Sequence, residues 1–274
     1  IVASLVGSEM CIRDSVGAGI SGIMAAKNAA KNNFKTLLVE EKNEIGGSTI
    51  YENNEFNKID NKAPSEWLKK EIEELKNIKN LEIKTRTSVA AYHQYNYLLA
   101  RENLTDHLEK KDKTNKIRQR LLKIRAKKVI LATGALERPL IFNNNDRPGI
   151  MLSSAVKKYS EFYGVACGSK NVFFTNNDSA YESALSLYNK GINVEAIIDI
   201  REQSESKIVK KVKETSIKIY WSHSIVDTAG YKRLNSVSIM KLSNDGTSVT
   251  GSKISISCDC LGVAGGWTPA VHLY

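Results

Sequence analysis

A loop of three glycines, Gly17-x-Gly19-x-x-Gly22, constrains this chain more than any other feature. Gly17 permits a tight turn out of a strand. Gly19 has no side chain, so a pyrophosphate can reach the backbone there. Gly22 lets the following helix pack closely on the strand. That helix begins with free N–H groups and the positive end of its dipole, which favour anions. Glycine-rich loops also arise by chance, so the segments after the loop decide its meaning. Residues 20–32 read as a helix, residues 35–40 (KTLLVE) as a buried strand, and Glu40 lies eighteen residues after Gly22. A carboxylate at that strand end accepts hydrogen bonds from a ribose diol and repels a 2′-phosphate. The pattern predicts a dinucleotide site, with Glu41 and Lys42 bordering the ribose or adenine. Gly46-Gly47-Ser48 reads either as a plain turn or as a second backbone approach, with the Ser48 hydroxyl as a polar contact. Ala132-Thr133-Gly134 ends another buried strand in small residues. Gly265-Gly266 is expected to complete the same domain.

A second βαβ-like pattern comes next. Residues 154–163 read as helix, 171–175 (NVFFT) as strand, 178–190 as helix, 193–199 as strand, 207–214 as helix and 217–221 as strand. Residues 234–242 and 248–257 are strands around a turn carrying Asp245-Gly246, a hairpin signal. The expected fold is α/β, with two Rossmann-type nucleotide-binding-like domains, the second inserted in the first. The first covers residues 16–142 plus 259–274, and the inserted one residues 143–258. The inserted domain has no glycine after its first strand. Thr175-Asn176-Asn177-Asp178-Ser179-Ala180 stands there instead. Side chains would block a pyrophosphate, and Asp178 reads as the N-cap of the next helix. This domain is expected to keep the fold and lose the site. Residues 1–15 are unassigned: GSEMCIRDS is unpatterned, and Arg13-Asp14-Ser15 makes a poor last half of a buried strand. The segment is expected to be foreign to the fold, and the chain to be a piece of a longer one.

The net charge of +10 is spread along the chain except for residues 110–128, where neither aromatic interleaving nor a nucleic-acid motif accompanies it. No nucleic-acid partner is expected. No apolar run approaches the roughly 20 residues of a membrane span, so no membrane partner is expected either. The four cysteines form no C-x-x-C, and a reducing cytoplasm is the expected location. Cys258 and Cys260, read as strand neighbours on one face, are expected to be packing residues. The four histidines show no metal spacing, and no metal is expected.

Four strings carry a resemblance: residues 132–139 (ATGALERP), 144–151 (NNDRPGIM), 174–181 (FTNNDSAY) and 265–273 (GGWTPAVHL). Over residues 16–274 the chain resembles the alpha subunits of heterotetrameric sarcosine oxidases. The resemblance implies a two-domain disulfide-reductase-like fold. It also implies a flavoenzyme complex with beta, gamma and delta subunits. That complex acts on a small-molecule substrate, demethylating sarcosine oxidatively to glycine with O2 and tetrahydrofolate. It implies NAD in the glycine-loop site, with FAD in the beta subunit and FMN at the alpha–beta interface. By their place in the motif Gly17, Gly19, Ser21, Gly22, Glu40, Glu41, Lys42 and Ser48 carry over as NAD contacts. Val89 and Ala264 carry over as well, beside Gly47, Thr133, Gly134 and Gly265 from the loops. The resemblance assigns substrate oxidation to the beta subunit, so it names no catalytic residue in this chain. Two alternatives stay open: a stand-alone FAD- or NAD(P)-dependent oxidoreductase, since this loop-plus-acid architecture often holds FAD, and a non-catalytic structural subunit with a bound nucleotide.

Overall fold

The computed structural model of the protein describes residues 2–4, 13–52, 57–113 and 116–274. The chain forms two units, Ile1–Ala135 with Pro269–Tyr274, and Leu136–Thr268.

The first unit contains β1 (Val2–Ser4), β2 (Arg13–Val16), α1 (Ile20–Lys31), β3 (Thr36–Val39), α2 (Pro64–Lys76), β4 (Leu81–Lys84), β5 (Thr87–His93), β6 (Tyr97–Asn103), β7 (Gln119–Arg125) and β8 (Lys128–Leu131). Two four-stranded sheets result, a parallel one in the order β4-β3-β2-β8 and a second in the order β1-β7-β6-β5. β3 is buried along its whole length, which is why TLLV reads as an unbroken apolar run. Leu38 packs with Ile23, Ala26, Trp67 and Leu68 of the helices. Leu37 and Val39 point the other way, to Leu98, Leu122 and Ile124 of the second sheet. The period-two alternation of a strand thus binds both layers through one short segment.

Arg13, Asp14 and Ser15, within the segment expected to be foreign to the fold, join Val16 in a strand here. It pairs in register with β3 on one side and β8 on the other, burying Asp14 and Ser15. Backbone hydrogen bonding to two neighbours accepts any residue but proline, so the ladder forms despite the polar side chains. Residues 1 and 5–12 of the segment, Cys11 included, lie outside the described residues.

α1 and α2 are joined by charge as well as by apolar contact. Lys27 Nζ lies 2.5 Å from Glu71 Oε2 and 2.8 Å from Glu74 Oε2, and Lys27 and Glu71 are both buried. Removing one member of a buried pair leaves the other uncompensated. Lys27→Met is expected to lower the stability of this unit by about 3–5 kcal/mol in urea unfolding. Lys27→Met combined with Glu71→Leu is expected to recover most of that loss.

The chain crosses between the units in β9 (Ala135–Glu137). The second unit then contains β10 (Ile150–Leu152), α3 (Ser153–Tyr163), β11 (Asn171–Thr175), α4 (Ser179–Asn189), β12 (Val194–Asp199), α5 (Lys207–Lys213), β13 (Lys218–Trp221), β14 (His223–Ala229), β15 (Ser236–Leu242), β16 (Val249–Ser257) and β17 (Cys260–Ala264). The return crossing is β18 (Trp267–Pro269), which pairs with β9. A five-stranded parallel sheet runs in the order β10-β17-β11-β12-β13, and an antiparallel meander in the order β14-β15-β16. Phe174, Ile198, Leu261 and Val263 of the first sheet share a core with Ile225, Val237 and Ile239 of the second.

One sequence expectation changes here. Residues 259–268 belong to the second unit, because β17 is an inner strand of its sheet, paired with β10 and β11. The boundary therefore falls at 135/136 and 268/269 instead of 142/143 and 258/259. Strand β14 escaped the sequence reading because a register shift between Ile225 and Asp227 breaks its alternation.

Candidate dinucleotide site

β2 ends at Val16 and the glycine loop comes next at the C-terminal edge of the parallel sheet, where α1 begins. Two of the three glycines are demanded by the protein itself. Gly17 has φ +96°, and a Cβ there would lie 2.3 Å from the Ala132 carbonyl oxygen at the end of β8. A Cβ on Gly22 would lie 1.8 Å from the Gly17 carbonyl oxygen. Gly19 differs. Its φ is −74°, open to any residue, and a Cβ there would meet no atom within 4 Å. Nothing among the described residues requires a glycine at that position. A Cβ there would stand in open space beside the start of α1.

Gly19 is also the N-cap of α1, where it has no side chain to satisfy the first helical N–H groups. A second glycine turn closes on this point. Gly46 N donates to Ala18 O at 2.7 Å, and a Cβ on Gly47 would lie 3.0 Å from Gly19 Cα. Ser48 lies in a 3₁₀ turn (Gly47–Ile50) and is exposed, as is Ser21 in the first turn of α1. The open space at Gly19 and the uncapped helix start fit an anionic pyrophosphate.

Glu40 comes directly after β3 and is buried. Its main chain is held at both ends, Glu40 N donating to Lys84 O and Thr87 N donating to Glu40 O. Its carboxylate bridges the two loops: Ala18 N donates to Oε2 at 2.8 Å, and Lys42 N to Oε1 at 3.0 Å. An ionised carboxylate has about four acceptor positions, so each oxygen keeps one free for a ribose hydroxyl. Glu41 and Lys42 are exposed beside it. Val89 lies on β5 with its side chain packed against the Leu37 and Leu98 core, leaving its main chain to offer. Thr133 Oγ1 donates to Ala270 O at 2.7 Å and Ala270 N donates to Gly134 O at 3.0 Å, so this pair fastens the returning chain.

Gly17, Gly19, Ser21, Gly22, Glu40, Glu41, Lys42, Gly47, Ser48, Val89, Thr133 and Gly134 thus share the first unit. Ala264 and Gly265 belong to the second. Ala264 ends β17, and a Cβ on Gly265 would lie 2.7 Å from Pro139 O. The sequence reading did not single out Ala18, whose N–H and C=O link Glu40 to Gly46. Its signal is its place between Gly17 and Gly19.

The equivalent edge of the second unit is closed by its own side chains. Asp199 ends β12 much as Glu40 caps β3, but it is fully buried. Tyr181 Oη donates to its Oδ2 at 2.8 Å, and Arg201 donates to both of its oxygens, Nη2 to Oδ2 at 2.7 Å and Nε to Oδ1 at 3.1 Å. Arg201 Nη2 also lies 2.8 Å from Asp178 Oδ1. Burial and the Asp199 charge push the Tyr181 phenol well above its usual range. Asp178, expected to cap α4 with its side chain, makes no capping hydrogen bond. Asn177 Oδ1 accepts from Ser179 N at 3.0 Å instead, because the Asp178 carboxylate is drawn to Arg201. Repeating the strand-then-acid comparison on β12 would have singled out Asp199 from sequence.

Cys258 and Cys260 are not strand neighbours on one face. Cys258 lies in the link between β16 and β17, and Cys260 begins β17. Both are buried, and burial, with Asp259 adding to it, pushes both thiols up to about 12. Thiols held so far from the thiolate form are packing groups. No group of three or more His, Cys, Asp or Glu side chains able to hold a metal occurs among the described residues. No described helix is long and apolar enough to cross a membrane.

Comparison with known proteins gives one family. The model of the pyridine nucleotide-disulphide oxidoreductases matches residues 15–273. The alpha subunit of sarcosine oxidase from Corynebacterium sp. (strain P-1) is 36% identical over 261 residues, 94% of this chain and 26% of that protein. That from Rhizobium meliloti (strain 1021) is 32% identical over 94% of this chain and 24% of its own length. The chain thus spans about a quarter of the curated relatives it matches. Among solved structures, the T. acidophilum thioredoxin reductase superposes with a TM-score of 0.70 at 20% identity, covering 96% of this chain and 79% of that one. At that identity the likeness concerns the fold. The two parallel-sheet units and a match over nearly the whole chain lead to one assignment: the chain belongs to the pyridine nucleotide-disulphide oxidoreductase family.

Proposed function

We propose that the first unit binds NAD, and that the chain is the NAD-binding module of a sarcosine oxidase alpha subunit. One observation carries the binding reading: Gly19 is a glycine no protein atom requires, at an uncapped helix start, with the Glu40 carboxylate fixed beside it. In this reading the α1 N–H groups hold the pyrophosphate and Glu40 accepts from the ribose diol. Ser21, Glu41, Lys42, Gly47, Ser48 and the Val89 main chain border the nucleotide, and Gly17, Gly22, Thr133 and Gly134 shape the pocket. The identity to sarcosine oxidase alpha subunits supports the wider reading. That reading is oxidative demethylation of sarcosine, an oxidation at CH–NH, by a cytoplasmic complex with beta, gamma and delta subunits. Tetrahydrofolate takes the one-carbon unit, and FAD and FMN sit in the partner or at its interface. NAD, when bound, supplies a nicotinamide that can accept or give a hydride. This chain's residues contribute binding and orientation, so the chain alone is expected to catalyse nothing.

The test is to purify the chain, denature it and identify the released nucleotide. NAD supports the reading, and FAD would overturn it in favour of an FAD-dependent oxidoreductase. NAD that reduced partner flavins never reduce would mark a structural role. Glu40→Gln keeps the shape but loses the charge. It is expected to weaken NAD binding about 10–100-fold in calorimetric titration, the worth of a hydrogen bond to a charged group. The same change should narrow the preference for NAD over NADP.

A further inference from the structure

Asp14 occupies the middle of β2, and only 2% of its surface is exposed. Both carboxylate oxygens are buried without a hydrogen-bond partner among the described residues. Its neighbours explain why. Asp14 stands in register with Leu37 on β3 and Val129 on β8. Val16, two residues on and therefore on the same face, packs with Leu37, Leu98, Leu122 and Ile124. A carboxyl thus projects into the apolar layer between the two sheets of the first unit.

Among the described residues few ionisable groups share that layer. β3 and β8 offer none on this face. Glu82 of β4 lies in the same row, one strand beyond Leu37, and its charge adds to the cost of a second negative one. Lys84 lies 3.2 Å from Glu82 and 3.2 Å from Glu102, and Arg120 also pairs with Glu102, so these cations are engaged with other carboxylates. On β6 and β7, Arg101, Lys123 and Arg125 alternate to the opposite face from Ala100, Leu122 and Ile124. Near the chain end Leu273 joins the layer, while His272 and Tyr274 on either side are exposed.

We infer that Asp14 makes the parallel sheet of the first unit proton-dependent: the sheet closes around a neutral carboxyl and loosens when that carboxyl ionises. An isolated carboxylate in an apolar layer costs far more than a neutral acid there. Because β2 runs directly into Gly17, loosening the sheet also withdraws the glycine loop and the start of α1. Burial, with Glu82 adding to it, pushes the Asp14 carboxyl up from 3.8 to about 7. Linkage fixes the sign. A carboxyl that binds its proton more tightly in the folded state gives full stability below about pH 4, and that stability is lost as pH rises toward 7. Across this window the folding equilibrium falls up to about tenfold per pH unit, and about 50-fold between pH 5 and pH 7.

The experiment is amide hydrogen exchange of the 274-residue chain without ligand, read by mass spectrometry on peptides covering β2, β3 and β8. Asp14→Asn keeps the shape and removes the titration. Asp14→Val removes the unpaired group as well. The wild-type protection factor divided by that of either variant is expected to fall about 50-fold from pH 5 to pH 7 and level off above. Asp14→Val is expected to raise protection at pH 7. A ratio that stays within twofold over pH 5–7 for both variants would overturn the inference. If Asp14→Asn fails to fold, the ratio to Asp14→Val decides alone. Since no nucleotide is present, the result does not depend on what the site binds.

Discussion

Gly19→Val is expected to abolish dinucleotide binding while lowering the thermal midpoint of the chain by no more than about 2–4 °C, the worth of the N-cap preference for glycine over valine. The backbone at Gly19 is in ordinary extended geometry and the space around its missing Cβ is open, so a valine fits the protein without strain. It does not fit a ligand seated on the start of α1, because its two methyl groups would take the place of a phosphate. A loss of at least 100-fold in affinity, about 2.7 kcal/mol, is expected by titration calorimetry with NAD. Gly22→Val makes the opposite comparison. Its Cβ would lie 1.8 Å from the Gly17 carbonyl oxygen, a main-chain atom that cannot swing aside. Overpacking of this kind costs about 1–3 kcal/mol or more, and it should appear as a lower thermal midpoint before any ligand is added. If Gly19→Val binds NAD as wild type does, the site is elsewhere. If it unfolds the chain, the open space at Gly19 is not the reason for the glycine.

Arg201→Ala is expected to destabilise the second unit by about 3–5 kcal/mol, the range for stripping the partner from a buried charge. Asp199 is fully buried, and Arg201 supplies a bidentate contact that also reaches Asp178. Without the guanidinium, only the Tyr181 hydroxyl and the Arg201 main-chain N–H still donate to Asp199. Arg201→Lys keeps a charge but loses the planar fork, so it should recover part of the loss and not all. Urea unfolding followed by fluorescence is the measurement, because Trp221 stacks on Tyr181 at 6.0 Å and reports this corner. The same variant bears on the missing nucleotide site. Neither Arg201→Ala nor wild type should bind a dinucleotide in the second unit, since Asn176, Asn177 and Asp178 still stand where glycines would be needed. An Arg201→Ala protein as stable as wild type would show that the Asp178–Arg201–Asp199 contact contributes nothing net.

Much of the site was legible in the sequence because it is local. Gly17, Gly19, Gly22 and Glu40 fall within one strand–helix–strand unit, and their spacing is set by the lengths of α1 and β3. Most helices and inner strands were legible for the same reason, with ends shifted by a residue or two. Three features were not. The polar side chains of Asp14 and Ser15 hid β2, because its pairing comes from main-chain groups that sequence pattern does not weigh. A bulge concealed β14 by breaking its alternation. The double glycine after β17 suggested a return to the first domain, whereas β17 itself pairs inside the second. Which sheet a buried apolar strand joins depends on long-range partners, and many sheets would accept CLGVA.

By itself, then, the sequence determined two α/β units, a glycine loop with an acid on the next strand, and the absence of such a loop in the second unit. Those properties lie within short stretches, where spacing is set by the helix turn and the strand pleat. Only the tertiary structure decided which glycine is free for a ligand. Gly17 and Gly22 are explained by atoms of residues 132 and 17, and Gly19 by none. It likewise decided that Arg201 bridges Asp178 to Asp199 and that Asp14 stands unpaired between two sheets. These depend on which atoms meet across a fold, and the distance of closest approach is not written in residue order.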